Sequence, residues 1–203
     1  MNPNLSELID RFPQLADCQQ SIEDAFEALR ACFADGGQLL LCGNGGSAAD
    51  AEHWAGELLK GFRRPRPIRG EMQRWLGPDL APKLQEGLPV IPLVGFPAFR
   101  SAFDNDVDPT FAFAQLTWVL GRAGDTLVAI STSGNSENVI TAARVARAKA
   151  IKAIGLTGAG GGRLAENCDI VIAVPERETH KVQELHLPVY HTLCLMLEDE
   201  FFG

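Results

Sequence analysis

Four consecutive apolar residues, Leu39-Leu40-Leu41-Cys42, stand between Gln38 and Gly43 and leave no polar face. A strand of that kind cannot lie with one side in water; it needs cover on both faces, as in a parallel sheet held between two helical layers. The pattern recurs at Pro89 to Val94, Thr126 to Ser131, Lys152 to Thr157 and Ile170 to Val174, with apolar residues at helical spacing between these runs. The expected fold is therefore α/β, a doubly wound sheet of five parallel strands. Residues 5 to 34 predict N-terminal helices broken near Pro13, and Val182 to Glu198 predicts a long C-terminal helix that Pro188 should bend. At 203 residues the chain suits a single domain over 1–203, with helices in 1–35 and a proline- and arginine-rich loop excursion over 63–87.

In such sheets ligands sit beyond the carboxyl ends of the strands. Two loops at those ends carry chemistry. Gly43-Asn44-Gly45-Gly46 leads into a helix that starts around Ser47. Its glycines let the backbone approach a ligand, and the first helical turn favours an anion, most often phosphate. Ser131-Thr132-Ser133-Gly134-Asn135-Ser136 repeats that logic with hydroxyl donors added, and opens the helix that follows Val139. The glycine loop alone is neither a P-loop nor a dinucleotide fingerprint.

Four histidines are present, His53, His180, His186 and His191. His53 and Glu57 are four residues apart and share one face of the first loop's helix. On the last helix Gln183, His186 and Tyr190 share one stripe and Glu184, Leu187 and His191 another, so spacing alone does not select the working histidine. Ser101 to Asp108, rich in Asp and Asn, lacks the glycine and distal glutamate of a calcium loop and reads as a loop presenting polar groups to substrate. Arg63, Arg64, Arg66 and Arg69 read either as a solvated loop or as a grip on an anionic substrate.

A net charge of −8 and a pI near 5.0 exclude a basic nucleic-acid surface. No segment has a signal-peptide pattern or the apolar length of a membrane span, so a cytoplasmic protein without membrane or nucleic-acid partners is expected. The five scattered cysteines, Cys18, Cys32, Cys42, Cys168 and Cys194, contain no C-x-x-C pair and suit buried reduced thiols.

Three blocks in order, G-N-G-G-S-A-A-D-A-E-H-x-A-x-E, S-T-S-G-N-S-x-N-V and Q-E-x-H-x-x-x-x-H, resemble the sugar isomerase (SIS) domain family, a flavodoxin-like fold. Within it they are most similar to the phosphoheptose isomerases. The resemblance runs from about Gln38 to the C-terminus. It implies a homotetrameric aldose–ketose isomerase that converts sedoheptulose 7-phosphate to D-glycero-D-manno-heptose 7-phosphate in heptose biosynthesis. By the same resemblance Asn44, Gly45, Gly46, Ser47, Glu57, Asn105, Asp106, Ser131, Thr132, Ser133, Ser136 and Gln183 contact the phosphosugar. His53, Glu57, Gln183 and His191 bind one zinc ion per subunit, with Glu57 the base and His191 the acid. The chain departs from the family in having Lys60-Gly61 where an arginine commonly precedes the phenylalanine at Phe62, and in the length of the 63–87 excursion. Two alternatives share the fold: an isomerase of another sugar phosphate, and a non-catalytic phosphosugar-sensing or partner-binding module such as the initiator-associating proteins.

Overall fold

The computed structural model describes residues 2–203 and contains one five-stranded, wholly parallel sheet in the order β2-β1-β3-β4-β5. Its strands are β1 (Leu39–Cys42), β2 (Val90–Pro92), β3 (Thr126–Ser131), β4 (Lys152–Thr157) and β5 (Ile170–Ala173). Alternate residues of one strand serve different cores, which is why the runs lack a polar face. Leu39, Leu41, Val128 and Ile130 join the layer formed by α1 (Pro3–Arg11), α2 (Gln19–Ala34), α3 (Gly46–Leu59) and α8 (Thr179–Phe202). Leu40, Cys42, Leu127 and Ala129 face the opposite layer, where α6 (Ala112–Leu120) and α7 (Glu137–Ala148) pack.

The chain runs from β1 outward to β2 and then returns to β3 on the other side of β1. The strand order thus reverses between β1 and β3, in register at Cys42 and Ala129, and opens a crevice at their carboxyl ends. Both glycine- and serine-rich loops leave the sheet there.

Three expectations need correction or refinement. Residues 101 to 106 are not a loop but the second half of helix α5 (Pro97–Asp106). Proline suits the first helical turn, and the four-residue spacing that pairs Phe99 with Phe103 and Arg100 with Asp104 supports the helix despite its Asn and Asp content. The final helix runs unbroken through Pro188. The excursion holds an exposed helix, α4 (Gly70–Leu80), interrupted at Gly77, and closes by bridging Pro67 to Gln85.

The excursion's arginines form internal ion pairs. Arg63 and Arg64 pair with Asp199 at 3.0 and 2.9 Å, and Arg66 is fully buried against Glu198 at 2.9 Å. Arg63, Arg64 and Arg66 are therefore committed to the end of α8. All five cysteines are free, and among the described residues no helix is long and apolar enough to cross a membrane.

Candidate active site

The two loops meet through side chains. Asn44 and Asn138 exchange reciprocal amide hydrogen bonds of 2.9 Å, which tie the end of β1 to the first turn of α7. Within the second loop the Ser131 and Ser136 hydroxyls are 3.0 Å apart, and Ser133 Oγ accepts the Asn135 N–H at 3.1 Å. The loop Gly158 to Arg163, with Leu164 after it, supports this loop from behind. Gly158 N–H donates to Thr132 O at 3.0 Å, Leu164 N–H to Gly134 O at 2.8 Å, and Arg163 pairs with Glu137 at 2.7 Å. Gly134 has a left-handed φ of +65° and a Cβ there would strike the Gly161 backbone, while a Cβ at Gly162 would strike the backbone of Ser133 and Gly134, so Gly134 and Gly162 are dictated by close approach.

The first loop contacts the last helix. Gln183 lies directly over Gly46, where any Cβ would collide with its side-chain amide. Asn44, Gly45 and Gly46 are exposed, while Ser47 is buried under the loop. The residues of the two loops thus line one crevice, with the first turns of α3 and α7 at it, an arrangement that suits an anion. Asn105 and Asp106 stand apart. They are exposed at the end of α5, Asn105 donates to Asp106 at 2.8 Å, and neither hydrogen-bonds to the two loops among the described residues.

Farther along α3 the titratable side chains converge. His53 Nε2 is 3.2 Å from Glu57 Oε1, and Lys60 Nζ holds the other Glu57 oxygen at 2.9 Å. The His191 ring packs edge-on to His53 with centroids 5.1 Å apart, and tilted against Phe62 at 5.3 Å. Desolvation, with the neighbouring His53 second, lowers the His191 pKa despite the opposing Glu57 charge, so the ring rests neutral. Its buried Nε2 has no hydrogen-bond partner. Of the histidines on α8, geometry therefore selects His191 for this cluster.

His186 is fully buried with both ring nitrogens unpartnered. The nearby Thr157 backbone favours its charged form slightly, but burial dominates and drives the pKa down to about 4.

Tyr190 and Asp50 complete the cluster and carried no assignment from the sequence. The Tyr190 hydroxyl is 2.9 Å from His53 Nδ1 and 3.3 Å from Asp50 Oδ1, and its ring stacks on Trp54 at 5.4 Å. Burial raises the pKa of Tyr190, so the phenol stays a donor. Burial also raises that of Asp50, against the pull of Tyr190 and His53. A partner on Nδ1 fixes the direction of Nε2, the usual arrangement around a ligating or proton-transferring imidazole.

Among the described residues no three His, Cys, Asp or Glu side chains form a ready metal cage. The donor chemistry nonetheless fits zinc. Two imidazoles and a carboxylate are ordinary ligands, the unpartnered His191 Nε2 is an available donor, and 3.2 Å between His53 Nε2 and Glu57 Oε1 suits two ligands on one tetrahedral ion.

Comparison with known proteins places the chain in a family. Two SIS domain family models match residues 106–197 and 5–84. The chain is 41% identical over 190 residues to a phosphoheptose isomerase of Rhodospirillum rubrum, covering 94% of this chain and 91% of that protein. It is 41% identical over 170 residues to one from a Roseiflexus species, covering 84% of this chain and 77% of that protein. Among solved structures, a phosphoheptose isomerase from Francisella tularensis superposes with a TM-score of 0.75 at 30% identity, over 96% of this chain and 98% of that one. The enzyme from Neisseria gonorrhoeae gives 0.72 at 32% identity, over 95% and 98%. With its five-stranded parallel sheet, paired loops and His53, Glu57 and His191 cluster, the chain belongs to the phosphoheptose isomerases of the SIS domain family.

Proposed function

We propose that the protein is an aldose–ketose isomerase that converts sedoheptulose 7-phosphate to D-glycero-D-manno-heptose 7-phosphate. The observation that carries this reading is the convergence of Glu57 and His53 on α3, which starts at the glycine loop, with His191 on α8, whose Gln183 covers that loop.

The reaction moves a carbonyl from C2 to C1. It requires removal of a C1 proton, passage through an enediol, and delivery of a proton to C2. Glu57 is the base that takes and returns the carbon-bound proton. Its second oxygen is held by Lys60, so the carboxylate is fixed in direction. His191 works at the substrate oxygens, giving a proton to the old carbonyl and accepting one from the neighbouring hydroxyl. The phosphate sits at the two loops, where Ser131, Thr132, Ser133 and Ser136 supply hydroxyls, and its binding holds the reacting carbons in place. Gln183, spanning from α8 to Gly46, closes the crevice between the two halves of the site. His53, Glu57 and His191 would hold zinc, whereas Gln183, expected from the sequence as a fourth ligand, lies over Gly46 at the opposite end of α3 and away from these three. When bound, the ion would supply a positive charge to stabilise the developing oxyanion.

We also propose a cytoplasmic homotetramer. The five free thiols support a reducing compartment. A cavity of about 500 Å³ between α1 and α8, with His191 on its wall, supports completion of the site by a neighbouring subunit.

The test is solvent deuterium incorporation. Purified protein in heavy water, with and without zinc, is offered sedoheptulose 7-phosphate and a panel of shorter ketose phosphates. Incorporation with product formation on the seven-carbon substrate is the expected result. Phosphosugar binding without any incorporation would mark a sensing module, and turnover only on another ketose phosphate would reassign the substrate.

A further inference from the structure

The arginine-rich excursion contains an ion pair that the chemistry above does not use. Arg66 and Glu198 have side chains with 0% exposure. A buried ion pair is a poor source of stability, because removing two charges from water offsets most of their attraction. What this pair does have is position. Arg66 directs Nε and Nη2 to Glu198 Oε1 at 3.0 and 2.9 Å, and sends Nη1 to Leu58 O at 2.9 Å and Nη2 to Glu57 O at 3.5 Å. Those carbonyls belong to the last turn of α3, which otherwise lacks intrahelical donors, and Glu57 is in that turn.

At the other end Glu198 stands two helical turns beyond His191 on α8, on the same face. Its carboxylate also accepts the backbone N–H groups of Phe62 and Arg63 at 2.9 Å and Arg64 at 3.1 Å. Desolvation alone would raise its pKa; these donors and the guanidinium outweigh that and hold it below the ordinary value, so the pair is fully ionised. Phe62, gripped through its backbone by Glu198, puts its ring 5.3 Å from the His191 imidazole. The guanidinium lies 4.4 Å over the Phe202 ring, which locks it in place.

We propose that Arg66 and Glu198 are a positioning pair that fixes the end of α3 against α8 and so sets the Glu57 carboxylate relative to the His191 imidazole. The inference rests on Glu57 and His191 being the proton-transferring groups. It gives the excursion a role: Gly61 to Arg66 is the strap that carries the arginine back under the helix it has just left.

The test begins with Arg66→Lys, which keeps the charge near Glu198 but loses the planar fork that reaches both the carboxylate and the helix end. At a temperature where circular dichroism and sedimentation match the wild type, kcat should fall roughly 100-fold, with KM and the affinity for inorganic phosphate within about twofold. A pair that merely stabilises the fold would lower Tm and leave kcat of the folded enzyme intact, and that result would overturn the proposal. The double variant Arg66→Met, Glu198→Gln removes both charges together and carries the same kcat measurement should the lysine variant not fold; wild-type kcat in the double variant also overturns it. A third measurement needs no turnover. The His191 ring protons lie in the field of the Phe62 ring, and their NMR shifts should change in Arg66→Lys; unchanged shifts count against the pair. Wild-type protein without isomerase activity would defeat the functional reading, while a His191 shift in the variant would still support the positioning role.

Discussion

Asn44 and Asn138, 94 residues apart in sequence, exchange two hydrogen bonds of 2.9 Å and join the loop after β1 to the helix after β3. Each amide satisfies the other, so the two loops proposed to grip the anion are tied together. Asn138→Ala uncouples them. Two solvent-facing hydrogen bonds are worth about 1 kcal/mol net, which corresponds to roughly fivefold weaker binding of substrate and of inorganic phosphate, measured by titration calorimetry. Unchanged affinities would show that the loops hold their shape independently.

Ser133 makes a sharper prediction about the anion. Its oxygen already accepts the Asn135 N–H at 3.1 Å, which leaves the hydroxyl proton free to donate outward. A charge-assisted hydrogen bond to phosphate contributes about 1.5–3 kcal/mol, so Ser133→Ala should weaken phosphate binding by roughly 10- to 150-fold with little change in Tm. Full affinity for inorganic phosphate in the variant removes Ser133 from the anion site.

Tyr190 orients His53 through a 2.9 Å contact at Nδ1. Tyr190→Phe keeps the ring on Trp54 and deletes only the hydroxyl, so folding should survive while His53 loses its fixed direction. Removal of such a partner commonly costs 10- to 100-fold in metal affinity, and zinc affinity by chelator competition should fall by about that factor. Equal zinc affinity in the two proteins would make Tyr190 a packing residue.

His186 makes stability depend on pH. The folded ring, with its pKa near 4, stays neutral where the unfolded chain protonates near the ordinary imidazole value of 6.5. The unfolded state therefore binds more protons between those values, stability rises with pH through that window, and it is lost on acidification. The full effect is about 3 kcal/mol below the folded pKa. Thermal unfolding should drop between pH 6.5 and 4, and His186→Leu should flatten that drop. A wild-type Tm that does not change across the window would contradict the buried neutral ring.

Much of the fold was legible because the inner strands β1, β3 and β4 are buried on both faces and leave apolar runs, and β3 and β4 begin and end where those runs do. The α5 segment was misread because Asp104, Asn105 and Asp106 are turn-favouring types, whereas the i,i+4 contacts of Phe99 and Arg100 decide the helix. The close backbone approach of Gly134 and Gly162 has no local signature, because a glycine required by a distant loop reads the same as one required by its own turn. Arg66 with Glu198 and Tyr190 with His53 were invisible for a simpler reason. Each pairs residues more than a hundred positions apart, and no local spacing encodes that meeting.

Glu57 carries the last prediction, because it separates an enzyme from a phosphosugar-binding module. Its carboxylate contacts His53 at 3.2 Å and Lys60 at 2.9 Å, and its helix end is pinned by Arg66. Glu57→Gln keeps the volume and one hydrogen-bonding oxygen but removes the basic charge. The proposed phosphate grip is at Gly46, at the other end of α3, so affinity should survive. General-base assistance contributes about 10² to 10⁴ in rate, and kcat should fall by that factor with KM little changed. The diagnostic is isotopic. Wild-type protein in heavy water should exchange the C1 proton of sedoheptulose 7-phosphate faster than or together with product formation, and Glu57→Gln should not exchange it. Equal deuterium incorporation by both proteins would take Glu57 out of the proton transfer and leave His191 to perform it.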